Sequence, residues 1–221
     1  MTFRVIDIET VPLAASMAAP YPAAERQPPA NYRNADAIDA WRERDRLTWA
    51  QERAKTCSLS PRLGRVLCVG MATPGDEAVY YAATEDAERE TLRSFWDEVN
   101  GYKAVTWNGA WDLRFLVVRS LLLGVTIPVD AEVVHFWQRP FNTAWHTDVK
   151  RVLVGDGIVK GEGLDEWAQA FGLPGKTDGW TGASVYPAYL DGRHAEIADY
   201  CRADVAATKA LYLRLAHLVE D

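Results

Sequence analysis

The sequence predicts an α/β domain in which helices pack in layers against a sheet. Short apolar runs rich in β-branched residues appear from the start of the chain, and they alternate with segments whose apolar residues recur at helical spacing. Strand and helix signals mixed in this way are typical of layered α/β domains. The length of 221 residues suits one domain with a full core, and we expect residues 1–221 to form a single domain.

Four strands are predicted, each a short apolar run bounded by turn residues. They cover residues 3–8, 65–72, 77–83 and 103–107. Helices are expected at about residues 34–55, 84–99, 109–121, 147–152, 164–171 and 194–218. Asn34 or Asp36 caps the first helix, Thr84 the second, and Thr147 or Asp148 the fourth. Residues 133–137 fit either a strand or a helix.

Residues 11–57 read as an insert between the first two strands. Five prolines between residues 12 and 29 predict loop or extended chain there, and not helix. The polar helix that follows alternates basic with acidic residues, with Trp41 and Trp49 among them. The insert's basic residues are Arg33, Arg42, Arg44, Arg46, Arg53 and Lys55. Alternating signs favour a solvated helix, and a grip or lid on nucleic acid is the alternative.

Composition narrows the function classes. The net charge of −7 argues against a protein that holds nucleic acid by bulk electrostatics, although cations bound to a carboxylate cluster reverse its local sign. The longest apolar run, 113–125, is broken by two arginines, and the first residues do not form a signal peptide. Three scattered cysteines suggest neither a disulfide framework nor a zinc site. We therefore expect a cytoplasmic protein, in a bacterial cell or in the host cell of a virus.

Four carboxylates stand in patterns that aim them at a shared point. Asp7 and Glu9 are two apart on a predicted strand, so their side chains share a face. Asp112 and Asp204 lie on predicted helices, four residues after Asn108 and Tyr200 respectively. Taken singly, each is equally an ordinary surface acid. Together they form an oxygen-rich set that suits Mg²⁺, and two such ions about 3.5–4 Å apart are the usual machinery for phosphodiester cleavage.

The three motifs resemble those of DnaQ-like 3′–5′ exonucleases of the ribonuclease H-like superfamily. They are Asp7-Ile8-Glu9-Thr10, Asn108-Gly109-Ala110-Trp111-Asp112 and Tyr200-Cys201-Arg202-Ala203-Asp204. The last two take the form found in proofreading domains of family-B DNA polymerases. Tyr200 stands four residues before Asp204, as in the tyrosine (DEDDy) subclass.

The chain is most similar to stand-alone predicted exonucleases related to those proofreading domains. Further matching segments are 59–70, 140–148 and 172–176, so the resemblance covers most of residues 1–10 and 57–215. It implies a three-layer fold with a central mixed five-stranded sheet flanked by helices. The insert after the first strand lies outside the resemblance.

The resemblance also implies the roles of the site residues. Asp7, Glu9 and Asp204 hold one of two divalent cations, either Mg²⁺ or Mn²⁺, and Asp7 bridges to the second. Asp112 acts through a water, and Tyr200 orients the attacking water.

Four residues are candidates for substrate contact. Thr10 faces the terminal nucleotide through its backbone or hydroxyl, and Asn108 bonds sugar or phosphate. Trp111 either stacks on a base or anchors the core. Lys176 contacts phosphate. His146 and Asp148 match a family pattern that a helix start explains equally well.

The activity implied is two-metal-dependent removal of nucleoside 5′-monophosphates from 3′ ends, with single-stranded DNA as the preferred substrate. No motif separates this activity from a 3′–5′ exoribonuclease acting on RNA. A hypothesis of another class is a non-catalytic nucleic-acid-binding or accessory module of a replication or repair complex.

Overall fold

A five-stranded mixed sheet organises the part of the chain that the computed structural model describes, residues 2–129, 144–155, 163–174 and 179–219. Its strands are β1 (Phe3–Pro12), β2 (Gly64–Ala72), β3 (Glu77–Tyr81), β4 (Lys103–Thr106) and β5 (His146–Asp148). Their order across the sheet is β3-β2-β1-β4-β5. The strand β2 runs antiparallel to both neighbours, whereas β1, β4 and β5 are mutually parallel. The predicted mixed five-stranded sheet is confirmed.

Eight helices surround the sheet within the described residues. They are α1 (Ala14–Met17), α2 (Ala35–Ser58), α3 (Glu85–Val99), α4 (Gly109–Leu123), α5 (Val149–Val154), α6 (Leu164–Ala170), α7 (Gly182–Leu190) and α8 (His194–Val219). The predicted caps of α2, α3 and α5 are found. Asn34, Thr84 and Asp148 each accept a hydrogen bond from a backbone N–H of the helix that follows.

The alternation of side chains along β1 separates two core layers. Ile6 and Ile8 pack on one face of the sheet among residues of α3 and α4. Phe3, Val5 and Val11 lie on the opposite face, where α6, α7 and α8 pack. Successive strand side chains point to opposite faces, so Asp7 and Glu9 lie on the α8 side. The three-layer arrangement therefore places this acidic pair under the last helix.

The first strand continues beyond its predicted end at residue 8. Val11 and Pro12 pair with Arg65 and Gly64, so the insert between β1 and β2 begins only after Pro12. The expectation of no helix in the proline-rich stretch is wrong for Ala14–Met17, which form one helical turn.

Two features of the later chain differ from the prediction. Residues His146–Asp148 form β5, which pairs with β4 before α5 begins. Without this three-residue strand, β4 would be the edge of the sheet, with unpaired backbone groups. The sequence interpretation missed α7, since Gly182 and Pro187 inside it are helix-breaking signals. Residues 133–137 lie outside the described residues.

The long insert helix α2 exposes pairs of opposite charge. Asp39 with Arg42 and Glu43 with Arg46 form ion pairs one helical turn apart. Such pairs agree with the solvated-helix interpretation of this segment. Among the described helices, none has the length and apolar character that crossing a membrane requires.

Candidate active site

The strand β1 presents Asp7 and Glu9 side by side toward α8. In the antiparallel register with β2, Asp7 lies opposite Gly70 and Glu9 lies opposite Cys68. The register shifts between Glu9 and Thr10, because Glu9 lies opposite Cys68 and Thr10 lies opposite Val66.

The helix α8 brings Asp204 to this acidic pair. One carboxylate oxygen each of Asp7, Glu9 and Asp204 lie within 4.8 Å of one another. Glu9 is 8% exposed and Asp204 is 5% exposed, so two of the three carboxylates are nearly removed from water. The thiol of Cys201, on the same helix, donates a hydrogen bond to Asp7 Oδ2 at 3.7 Å.

This donor set fits a divalent cation. Three clustered carboxylates, two of which have little access to water, repel one another and require compensating positive charge. Their ligand atoms are all oxygens, which Mg²⁺ and Mn²⁺ prefer over the softer ligands that select zinc or copper. The residues present therefore suit a hard divalent cation such as Mg²⁺ or Mn²⁺.

A glycine in β2 allows α8 to approach. A Cβ atom at Gly70 would lie 2.7 Å from Val205 Cγ2 and 2.8 Å from Cys201 Sγ. Both neighbours flank Asp204 in the sequence of α8. Any side chain at position 70 would force these two neighbours of Asp204 to shift.

Asp112 approaches the carboxylate cluster from α4, the helix that follows β4. The ladder between β1 and β4 ends at Val5 and Val105, so β1 projects beyond β4. Asp112, in the first turn of α4, accepts a hydrogen bond from the backbone N–H of Ile8 on this projecting segment. Burial raises the pKa of Asp112 to about 8, and the charges of Asp148 and Asp204 add to the rise. Asp112 is thus close to the carboxylate cluster but is not one of its three members.

The Asn108-Gly109 pair explains how α4 begins so close to β4 and β5. A Cβ atom at Gly109 would lie 2.1 Å from Thr106 Oγ1 and 2.5 Å from His146 Nε2. These two atoms are themselves 2.9 Å apart in a hydrogen bond. Only glycine fits at this position, because the Thr106–His146 hydrogen bond between β4 and β5 lies directly against it.

Asp148 fixes the starts of two helices. Its carboxylate accepts the backbone N–H of Arg151 in α5 and that of Gly109 in α4. Burial raises the pKa of Asp148. The sequence left open whether Asp148 belongs to a family pattern or starts a helix; it does cap α5, and its second contact connects it to the helix that carries Asp112.

Tyr200 is buried beside the three clustered carboxylates. It is 2% exposed, and its hydroxyl hydrogen-bonds with Asp204. Burial raises the pKa of Tyr200 well above its usual range, and the charges of Asp204, Glu9 and Asp7 raise it further. The hydroxyl therefore keeps its proton at neutral pH and is suited to donating a hydrogen bond.

The candidate substrate residues have different environments. The Thr10 hydroxyl donates to Ser58 O at 2.8 Å, and Thr10 lies opposite Val66 in the sheet. Asn108 is exposed, and its side chain does not cap α4. The Trp111 indole N–H donates to Leu59 O at 3.3 Å, and its ring packs against Phe115, as a partly exposed anchor. Lys176 lies outside the described residues.

Comparison with known proteins agrees with this geometry. A family model described as "Predicted 3'-5' exonuclease related to the exonuclease domain of PolB" matches residues 67–221. That range contains Asp112, Tyr200 and Asp204, while Asp7 and Glu9 precede it. A comparison with curated protein sequences found no match.

Among solved structures, the family B DNA polymerase from the hyperthermophilic archaeon Pyrobaculum calidifontis has a similar fold. The TM-score is 0.61 and the sequence identity is 20%, over 98% of this chain. The chain spans 25% of that polymerase, so the likeness concerns one part of the larger protein. The ribonuclease H-like fold expected from the motifs is confirmed. Since the family model matches well over half of the sequence, the chain belongs to the predicted 3′–5′ exonucleases related to the exonuclease domain of PolB.

Proposed function

We propose that the protein is a two-metal-dependent exonuclease that removes nucleoside 5′-monophosphates from the 3′ ends of single-stranded DNA. The observation that carries the proposal is the cluster of Asp7, Glu9 and Asp204, whose carboxylate oxygens lie within 4.8 Å of one another. The relation to the PolB exonuclease domain supports DNA as the preferred substrate.

In this proposal each acid has a distinct task. Asp7, Glu9 and Asp204 would hold two divalent ions, Mg²⁺ or Mn²⁺, and Asp112 would contribute through a water. Such ions would lower the pKa of an attacking water and stabilise the leaving oxygen. Among the three carboxylates, Asp7 is partly exposed, whereas Glu9 and Asp204 are buried. An incoming phosphate would therefore approach the site from the side of Asp7.

Tyr200 has a positioning task in the same proposal. Its protonated hydroxyl lies among the three acids and donates a hydrogen bond. A phenol with a raised pKa is a poor base at neutral pH, so Tyr200 aligns the attacking water without removing its proton. Asn108 and the backbone of Thr10 contact the terminal nucleotide, and Trp111 borders that contact through its exposed edge. We assign phosphate contact to Lys176 on its sequence motif alone.

The proposal includes the whole chain as one exonuclease domain. The carboxylate cluster combines β1, near the start of the sequence, with α8, near its end. Neither element forms the site alone, so one cooperative unfolding transition is expected by calorimetry. A reducing cytoplasm is the proposed setting, which is consistent with Cys57, Cys68 and Cys201 being buried free thiols.

The test uses matched 5′-labelled DNA and RNA oligonucleotides with Mg²⁺ or Mn²⁺. We expect a ladder of products shortened from the 3′ end, fastest on single-stranded DNA. Asp7→Ala should abolish the ladder, whereas Asp97→Ala, which changes an exposed acid of α3, should not. Faster shortening of RNA would make the protein an exoribonuclease. A full-length product with every substrate would contradict the exonuclease proposal and favour a non-catalytic binding module.

A further inference from the structure

An aromatic ring outside the three motifs lies against Tyr200. The indole of Trp180 stacks on the Tyr200 ring, with 5.6 Å between ring centroids and an angle of 27° between planes. Tyr200 is 2% exposed, while Trp180 is only partly buried. Trp180 is therefore part of what separates the Tyr200 ring from water.

Trp180 is itself held from several directions. The guanidinium carbon of Arg193 lies 5.2 Å from the centre of the Trp180 ring, within the range of a cation–π contact. Arg193 also pairs with Glu196 of α8 at 3.3 Å. Directly after Trp180, Thr181 and Ser184 form a capping box that fixes the start of α7. The indole is thus connected to the two helices that adjoin the site.

Stacking of this kind restricts how Tyr200 can turn. The terminal torsion of a tyrosine has a broad energy profile, so neighbouring groups decide the ring orientation. The hydroxyl hydrogen-bonds with Asp204, and the charges of Glu9 and Asp7 also act on it. The phenolic oxygen lies on the axis of the terminal torsion, so the ring plane decides the direction of the O–H bond, which prefers to lie in that plane. A flat indole against the ring selects that plane, and its contact also limits sideways movement of the whole phenol. Misplacement of a reacting group by about 1 Å can cost about 100-fold in rate.

We propose that Trp180 is a positioning residue for the exonuclease reaction, which acts by holding the Tyr200 ring in the orientation that aligns the attacking water. The inference rests on the proposed function. It assigns Trp180 no contact with substrate or metal, and its whole effect passes through the Tyr200 hydroxyl. Arg193 supports the same orientation from the far end of α7.

Single variants provide the first test, with kcat and KM measured on a labelled single-stranded oligonucleotide. Trp180→Ala should lower kcat about tenfold and change KM less than about threefold, because orientation and not binding is lost. Trp180→Phe keeps a flat ring and should recover kcat to within about threefold of the wild type. Trp167→Ala, which removes a partly buried tryptophan of α6 that packs on Phe171, is the matched control for lost packing and should change kcat less than about twofold.

A double-mutant cycle separates positioning from general support of the fold. Tyr200→Phe keeps the stacked ring but removes the hydroxyl, and it should lower kcat by about 100-fold. If Trp180 acts only through that hydroxyl, adding Trp180→Ala to Tyr200→Phe should change kcat by less than about twofold. Arg193→Gln, a substitution at the partly exposed outer end of the contact, should lower kcat about threefold in the wild type and not in Tyr200→Phe.

Three results would overturn the inference. They are an unchanged kcat in Trp180→Ala, a tenfold loss that persists in the Tyr200→Phe background, and an equal loss in Trp167→Ala. Each of these requires an active wild-type enzyme, so each refutes the role of Trp180 and leaves the exonuclease proposal standing. A wild-type protein that shortens no oligonucleotide would instead remove the proposed function and this inference with it.

Discussion

Asp112 shows at the scale of one residue how a familiar side chain changes in its environment. An aspartate in the first turn of a helix is ordinarily a solvated acid that complements the helix dipole. Here Asp112 is 6% exposed and accepts the N–H of Ile8. The motif predicted that Asp112 approaches the site. Its burial depends on β1 extending past the end of β4, which no local pattern indicates.

The raised pKa of Asp112 predicts a pH-dependent stability in the metal-free protein. In the unfolded chain its pKa is close to 3.9, whereas burial raises the pKa of Asp112 to about 8 in the folded protein. Between these values the folded state binds more protons, so the free energy of unfolding contributed by this group falls as pH rises. Thermal unfolding with EDTA from pH 5 to pH 8 should therefore show a steeper decline in Tm for the wild type than for Asp112→Asn.

The control for this measurement is Asp97→Asn, which changes an exposed acid and should keep the wild-type slope. Equal slopes for the wild type and Asp112→Asn would show that Asp112 titrates in its ordinary range.

At the scale of elements, the site depends on how closely α8 packs on β1 and β2. The sequence predicted both strands and the helix, and the shared faces of Asp7 with Glu9 and of Tyr200 with Asp204. The packing distance is decided by Gly70, which lies opposite Asp7 and beneath Cys201 and Val205. The sequence does not single out this glycine, because the residues that it contacts, Cys201 and Val205, lie more than 100 positions away along the chain.

Gly70→Ala should move α8 outward and open the carboxylate cluster. The added methyl would lie under 3 Å from atoms on two residues of α8, and overpacking of this kind costs about 1–3 kcal/mol of stability. Because Asp204 lies between those residues, Mn²⁺ binding measured by calorimetry should weaken as well.

Gly75→Ala is the matched control, since a Cβ atom there meets no atom within 4 Å. It should leave both stability and Mn²⁺ affinity close to wild type. Wild-type Mn²⁺ affinity in Gly70→Ala would show that α8 can shift without disturbing Asp204.

At the scale of the whole molecule, a buried ion pair connects α3 and α4 to β2 and to the loop that precedes it. Arg119 of α4 donates two hydrogen bonds to Glu88 of α3, at 2.8 and 2.6 Å. Glu88 also accepts the N–H of Val66, and Arg119 donates to Pro61 O at 3.1 Å. Leu59, in the same loop as Pro61, accepts the indole N–H of Trp111. The Glu88–Arg119 pair thus connects two helices, a strand and the loop beside the site.

Glu88→Gln should destabilise the protein strongly. The change leaves the Arg119 guanidinium buried without its counter-charge, which costs about 3–5 kcal/mol. The matched control is Glu90→Gln on the same helix, where the pair with Arg93 is exposed and is worth about 0–1 kcal/mol. Urea unfolding of both variants measures the difference, and similar midpoints would contradict the structural role of the pair.

The class of fold, the three acidic motifs and the family that they resemble can all be read from the order of the residues. Those features are local, because strand alternation and helical spacing decide which side chains share a face. The folded structure is needed to see which acids lie together, how deeply Asp112 is buried, and that Trp180 stacks on Tyr200. Those outcomes depend on the packing of elements that lie far apart in the chain. Gly70 is an example, because the absence of a side chain there lets α8 pack closely on β2. The carboxylate site therefore belongs to the fold as much as to its motifs.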